Sequence, residues 1–255
     1  AHWETGSGRI NDLRAFSDAC ERHNVMGLVD AVSSLGVENF RIDDFPGIDG
    51  WASCPQKGIC CLPLTYAPVS FSDRYVDHLN TNGARTFAHH PVLEARHWGI
   101  IDGQDVEKGT YHRTHSGYAV AAFHEALRLT LEQGISARSA DYAFHEAVLR
   151  DAVEFMGCKV TSNMTSLIVL NLPESLSGRE AELVGNCRAR GFGIWPTLSA
   201  PVQVRIGILN QLSPAAISDI AMRFAEAMGE LGADIDCDAV RQRIDLSYSS
   251  ALAAE

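Results

Sequence analysis

Val25-Met26-Gly27-Leu28-Val29-Asp30, followed by Gly50-Trp51-Ala52-Ser53-Cys54-Pro55-Gln56-Lys57, is the stretch that decides the fold. Each piece is a short apolar run that leads to a charged side chain, Asp30 in the first and Lys57 in the second. Between them lies the turn-rich Asp43-Asp44-Phe45-Pro46-Gly47. Runs of this length bounded by turn residues read as strands. Open α/β sheets place their ligands beyond the carboxyl ends of the strands. An acid at one strand end and an amine at the next therefore mark a candidate site at such an edge.

Working outward, Ile10, Leu13, Phe16 and Cys20 fall on one helical face within Arg9 to His23. Tyr66 to Phe71 reads as a third strand, and Ser72-Asp73 can cap a helix running through His78. This alternation is the signature of a mainly parallel sheet. Residues 82 to 115 read as irregular, rich in His and Gly. Two helices are expected next, Gly117 to Gln133 and Ala137 to Met156, stopped by Gly134 and Gly157. Beyond them, strands are expected at Thr165 to Asn171 and Gln203 to Ile208. Ser177 with Glu180 reads as a capping box, and Ser213-Pro214 opens the last long helix. The tail after Ser247 is expected to fray. The fold class is α/β, with one domain over 1–135 and a smaller α/β domain over 136–255.

A net charge of −11 argues against nucleic acid or anionic membrane partners, which need basic surfaces. Seven cysteines without metal-type spacing read as reduced thiols, hence a cytoplasmic protein. Ala1-His2-Trp3-Glu4 does not read as a signal peptide, and no window is long enough to span a membrane. His89-His90, His97, His112 and His115 carry no helical H-x-x-x-H pair, and Cys60-Cys61 reads as a pair of small core residues, so no metal is expected.

Five ordered stretches resemble the class V, fold-type I aminotransferases that depend on pyridoxal phosphate (PLP), in particular the alanine–glyoxylate, serine–glyoxylate and pyridoxamine–pyruvate branch. They are His2-Trp3-Glu4-Thr5-Gly6-Ser7-Gly8, Leu28 to Gly36, Gln56-Lys57 with Ser70-Phe71-Ser72-Asp73, Tyr111-His112-Arg113-Thr114, and Val204-Arg205-Ile206-Gly207. The resemblance implies the C-terminal part of a PLP-binding large domain, followed by a small α/β domain. It implies that Lys57 forms a Schiff base with the cofactor and then moves the substrate Cα proton. Asp30 would pair with the pyridine nitrogen, and Thr5 and Gln56 would support the cofactor. Tyr111 and Thr114 would reach the cofactor phosphate across a subunit interface. Arg205 would bind the substrate carboxylate. The same residues also have plain structural readings: Asp30 as a turn residue, Thr5 as a cap, Arg205 on an edge strand, Tyr111 and Thr114 as loop packing.

Two kinds of departure from the family pattern stand out. The first is local: Cys54-Pro55 replaces Gly-Ser before Gln56-Lys57, and Leu62-Pro63-Leu64 replaces Pro-Pro-Gly after the lysine. The second departure is the lack of roughly the N-terminal third of the family, which supplies the glycine-rich phosphate cup and the aromatic ring stacked on the cofactor. The expectation is a split enzyme completed by an N-terminal-half subunit, with truncation as the competing explanation. Shared sites then imply a homo- or hetero-oligomer acting on a small amino acid and a 2-keto acid. The alternatives are a PLP-dependent lyase, decarboxylase or condensing enzyme, or a non-catalytic structural subunit on a decayed scaffold.

Overall fold

The structure is a computed structural model that describes residues 1–60, 66–83, 86–100, 111–198, 201–209 and 213–252. It is mixed α/β. A short hairpin opens it, β1 (Trp3–Glu4) antiparallel to β2 (Arg9–Ile10). Helix α1 (Leu13–Arg22) follows, its first turn capped by Asp12, which accepts from the Ala15 N–H at 2.9 Å. The expected helix thus starts later than Arg9, because Arg9 and Ile10 pair as a strand.

β3 (Gly27–Asp30), β4 (Ile48–Ala52) and β5 (Val69–Phe71) form one sheet in that order. β3 and β4 are parallel, with Asp30 opposite Ala52. β5 runs antiparallel to β4. The described part of the β4–β5 connection carries tight turns and no crossover helix, and a parallel return needs a crossover. One face of this sheet carries Val29 and Trp51, packed with Leu13, Ala31 and Ile48. The other leaves Leu28 57% and Val69 53% exposed, beside Asp30 and Ala52.

α2 (Asp73–Asn82) is capped by Ser72, which accepts from the Tyr75 N–H. α3 (Pro91–His97) lies in a region that reads as irregular. His90 caps it through its ring nitrogen, and Pro91 occupies the first turn, where its missing N–H costs nothing. α4 (Gly117–Gln133) and α5 (Ile135–Phe155) meet at Gly134, whose φ of 82° only glycine adopts freely.

The second sheet has the order β6-β7-β9-β8, with all neighbours antiparallel: β6 (Lys159–Val160), β7 (Leu167–Asn171), β8 (Trp195–Pro196) and β9 (Val204–Gly207). α5, α6 (Glu180–Ala189), α7 (Pro214–Glu230) and α8 (Cys237–Leu252) pack around it. Ser177 does not cap α6. It follows a 3-10 turn over Glu174–Leu176, and the Glu180 carboxylate accepts from the Gly178 N–H instead. α8 continues past Ser247 to Leu252, with Val240 and Ile244 buried in the core, and the end of the tail, 253–255, lies outside the described residues. The larger core holds Leu149, Ile168, Ile206 and Phe224, fully buried. Trp3 from the opening hairpin joins it. A Cβ on Gly8 would sit 2.5 Å from Ser162 Cβ, so the hairpin lies directly on the strand pair β6–β7 and its connection.

Among the described residues, no helix is long and apolar enough to cross a membrane.

Candidate active site

Two turns, residues 31–36 after β3 and 53–60 after β4, are strapped together. The Ser53 hydroxyl donates to the Ala31 carbonyl at 3.1 Å, and the Cys54 thiol reaches the Val32 carbonyl at 3.6 Å. A Cβ on Gly58 would lie 2.0 Å from the Leu35 carbonyl oxygen, so only glycine permits this approach. The buried Arg138 of α5 spans both turns. Its Nε donates to the Gly36 carbonyl at 2.7 Å and a terminal nitrogen donates to the Gly58 carbonyl at 2.6 Å.

That strapping aims Lys57 at Ser33. Lys57 Nζ donates to Ser33 Oγ at 2.9 Å. Both line a cavity of about 290 Å³ with Thr5, Ser166, Trp195 and Arg205. One guanidinium nitrogen of Arg205 donates to the Thr5 carbonyl at 3.0 Å, and the buried Nε has no partner among the described residues. Among the described residues, the lining carries two cationic side chains and no carboxylate. Such a cavity suits an anionic ligand, and the unpaired Nε is a donor a carboxylate would satisfy. Thr5, Lys57 and Arg205, singled out by their sequence context, therefore converge. Ser33 was not singled out; one of two adjacent serines in a turn carries no signal of its own.

Other expected residues lie elsewhere. Asp30 sits on the exposed side of the β3 end, where its carboxylate accepts from the Val32 N–H at 2.8 Å. Gln56 is half-buried in the turn before Lys57 and is not part of the cavity wall. Tyr111 is 66% exposed and hydrogen-bonds to the Thr114 hydroxyl, and neither residue is part of the cavity wall. Leu62-Pro63-Leu64 and Cys61 lie outside the described residues.

The segment bearing Tyr111 and Thr114 is tied to α3 through His112. His112 Nδ1 lies 2.7 Å from Glu94 and Nε2 lies 2.6 Å from the Phe87 carbonyl. Burial disfavours the charge on Glu94, but hydrogen bonds from Trp98, His112 and Arg113 outweigh it and hold the carboxyl down to about 2. A larger cavity of about 940 Å³, lined by residues of β5, α2, α3 and α4 and the segments between them, contains none of the sequence-expected site residues. Thr5, Lys57 and Arg205 line the smaller one instead.

No family model matches the chain. The (S)-ureidoglycine–glyoxylate transaminase of Bacillus subtilis (strain 168) is 27% identical over 207 residues, 76% of this chain and 49% of that protein. The alanine–glyoxylate aminotransferase of Oryctolagus cuniculus is 31% identical over 136 residues, 52% of this chain and 33% of that protein. The chain thus spans about half the length of the first relative and a third of the second. In three dimensions it resembles the crystal structure of ureidoglycine–glyoxylate aminotransferase from Bacillus subtilis. The TM-score is 0.85 at 21% identity, over 97% of this chain and 64% of that one. Other structural neighbours, such as the serine palmitoyltransferase of Sphingomonas wittichii (TM-score 0.63, 15% identity), share the fold alone. The sequence relatives and the first structural neighbours of this chain are class V, PLP-dependent aminotransferases, and the chain corresponds to a C-terminal-like region of them.

Proposed function

We propose that this chain is the lysine-bearing part of a PLP-dependent aminotransferase that moves an amino group between a small amino acid and a 2-keto acid. One observation carries the reading: Lys57, in the turn after β4, and Arg205, on β9, share one cavity in which no described residue brings a carboxylate. When bound, PLP supplies an aldehyde carbon for an amine and an electron sink for the carbanion. Lys57 is the amine that takes the cofactor and later holds the proton moved at the substrate Cα. Arg205, steadied by the Thr5 carbonyl, offers its unpaired Nε–H to the substrate carboxylate. The family resemblance would give Asp30 to the ring nitrogen and Thr5 and Gln56 to the support of the cofactor; of these, Thr5 lines the cavity, while Asp30 ends β3 and Gln56 sits in the turn before Lys57.

The exposed sheet face around Leu28 and Val69 supports a further part of the reading. A second polypeptide segment covers that face and brings the phosphate-binding and ring-stacking groups. In this proposal it is an N-terminal-half subunit in a cytoplasmic heteromer. Tyr111 and Thr114 contact the phosphate of a neighbouring subunit's cofactor. The division into a cofactor domain over 1–135 and a small domain over 136–255 belongs to the same reading.

The test is borohydride reduction of the PLP-loaded protein, followed by peptide mapping. The cofactor mass is expected on the Lys57 peptide, and a map with Lys57 unmodified overturns the reading. Loading with and without a co-expressed glycine-rich N-terminal half tests the heteromer: yellow protein from this chain alone removes it.

A further inference from the structure

We propose that Ser33 is the positioning residue of Lys57, holding the amine on the cavity side of the strapped turns through its hydroxyl. The inference rests on the PLP reading for its meaning in catalysis, but the contact itself does not. Lysine side chains lose much rotamer freedom when held in one direction, so an amine that must meet a ligand in a single orientation needs a fixed acceptor. Ser33 is such an acceptor. It is 5% exposed, receives Nζ at 2.9 Å, and shares the cavity wall with it.

The acceptor itself cannot drift. Its turn is held by the Ser53 hydroxyl on Ala31, by the Val32 N–H on Asp30, and by Arg138 on Gly36. Arg138 holds the lysine turn through Gly58 at the same time. The distance between Ser33 and Lys57 is therefore set by backbone contacts that neither side chain makes. The chemistry favours serine at this point. A hydroxyl can accept from an ammonium and can donate to a neutral amine, so it follows the amine through a proton transfer.

The sequence contains three lysines, Lys57, Lys108 and Lys159, so protein labelled at lysine Cε gives three NMR signals. Lys57→Arg identifies the one in question. Without cofactor, the two Cε protons of Lys57 are expected to be distinct in the native protein. In Ser33→Ala they are expected to merge, and in Ser33→Thr to separate again. In the loaded protein Ser33→Ala should lower kcat about tenfold with little change in KM. Ser33→Thr should recover most of that loss.

Unchanged Cε protons in a folded Ser33→Ala protein overturn the inference. If those protons merge but no cofactor attaches at Lys57, the positioning contact stands and the aminotransferase reading falls. If cofactor attaches and kcat is unaffected by Ser33→Ala, the reading stands and the positioning role falls.

Discussion

Gly58 and Leu35 touch backbone to backbone: a Cβ on Gly58 would lie 2.0 Å from the Leu35 carbonyl oxygen. A carbonyl cannot step aside as a flexible side-chain end can. Gly58→Ala is therefore expected to cost on the order of 3 kcal/mol through forced separation of the two turns. Gly185→Ala is the contrast. It lies inside α6, where nothing comes within 4 Å of an added Cβ. That substitution should stabilise by up to about 1 kcal/mol through helix propensity. Urea unfolding of the two variants gives opposite signs if this reading is right.

Arg138 is 3% exposed and serves two carbonyls from turns far from it in sequence. Arg138→Met keeps much of the stem but leaves the Gly36 and Gly58 carbonyls without that donor. A loss of about 3 kcal/mol is expected, about 1–2 for each orphaned group. Thermal unfolding measures it, and lysine Cε NMR should show Lys57 loosened as well.

Arg205→Lys keeps the charge and loses the fork. Loss of a charge-assisted hydrogen bond to a carboxylate is worth roughly 2–3 kcal/mol. The expected outcome in the assembled enzyme is about a hundredfold lower kcat/KM. The value of kcat/KM for an amino acid should fall much more than that for an amine lacking the carboxylate. Equal losses for both would remove Arg205 from carboxylate recognition.

Burial lowers His2 to about 4, and its ring meets Phe40 edge-on. Below its unfolded value of about 6.5 the unfolded chain takes up the proton and the folded one resists it. His2 therefore contributes no pH dependence above that value. It costs stability progressively as pH falls from about 6.5 to about 4. His145 is lowered by burial too and acts with the same sign. The comparison is accordingly between native protein and His2→Phe: the gap in unfolding midpoint should grow across this window in favour of the variant.

Burial raises the Cys158 thiol to about 12 and the Cys187 thiol to about 11. Both stay protonated and enclosed at neutral pH, whereas Cys54 and Cys60 are partly exposed. Brief iodoacetamide treatment followed by mass mapping should label Cys54 and Cys60 well before Cys158 and Cys187.

The parts of the fold legible in the sequence are those with local causes. α4 occupies Gly117–Gln133 and stops where Gly134 indicates, and Ser72 and Ser213 cap the helices that follow them. The direction of β5 was not legible, because an apolar run looks the same in either orientation. α3 was hidden by histidines that read as irregular, although Pro91 at its start was a usable signal. In the site, Lys57, Thr5 and Arg205 stood out because each sits in a distinctive local context. Ser33 and Arg138 did not. Their roles arise from which turns the tertiary fold places in contact, and no local pattern encodes that. Asp49 is a similar case: it is buried and bound by Ser72 and Arg74, and it reads in sequence as an ordinary strand-end acid.

The Thr5–Arg205 hydrogen bond joins residues 200 positions apart, and the Arg138–Gly36 bond joins residues 102 apart. Contacts of such long range close large loops and form slowly. The cavity is thus among the last features to appear as the chain folds. Each sheet can assemble on its own contacts while Lys57 and Arg205 are still unacquainted. Recovery of ligand binding after dilution from denaturant should lag behind recovery of helical signal. Partly folded molecules would then hold most of their secondary structure and yet be chemically silent.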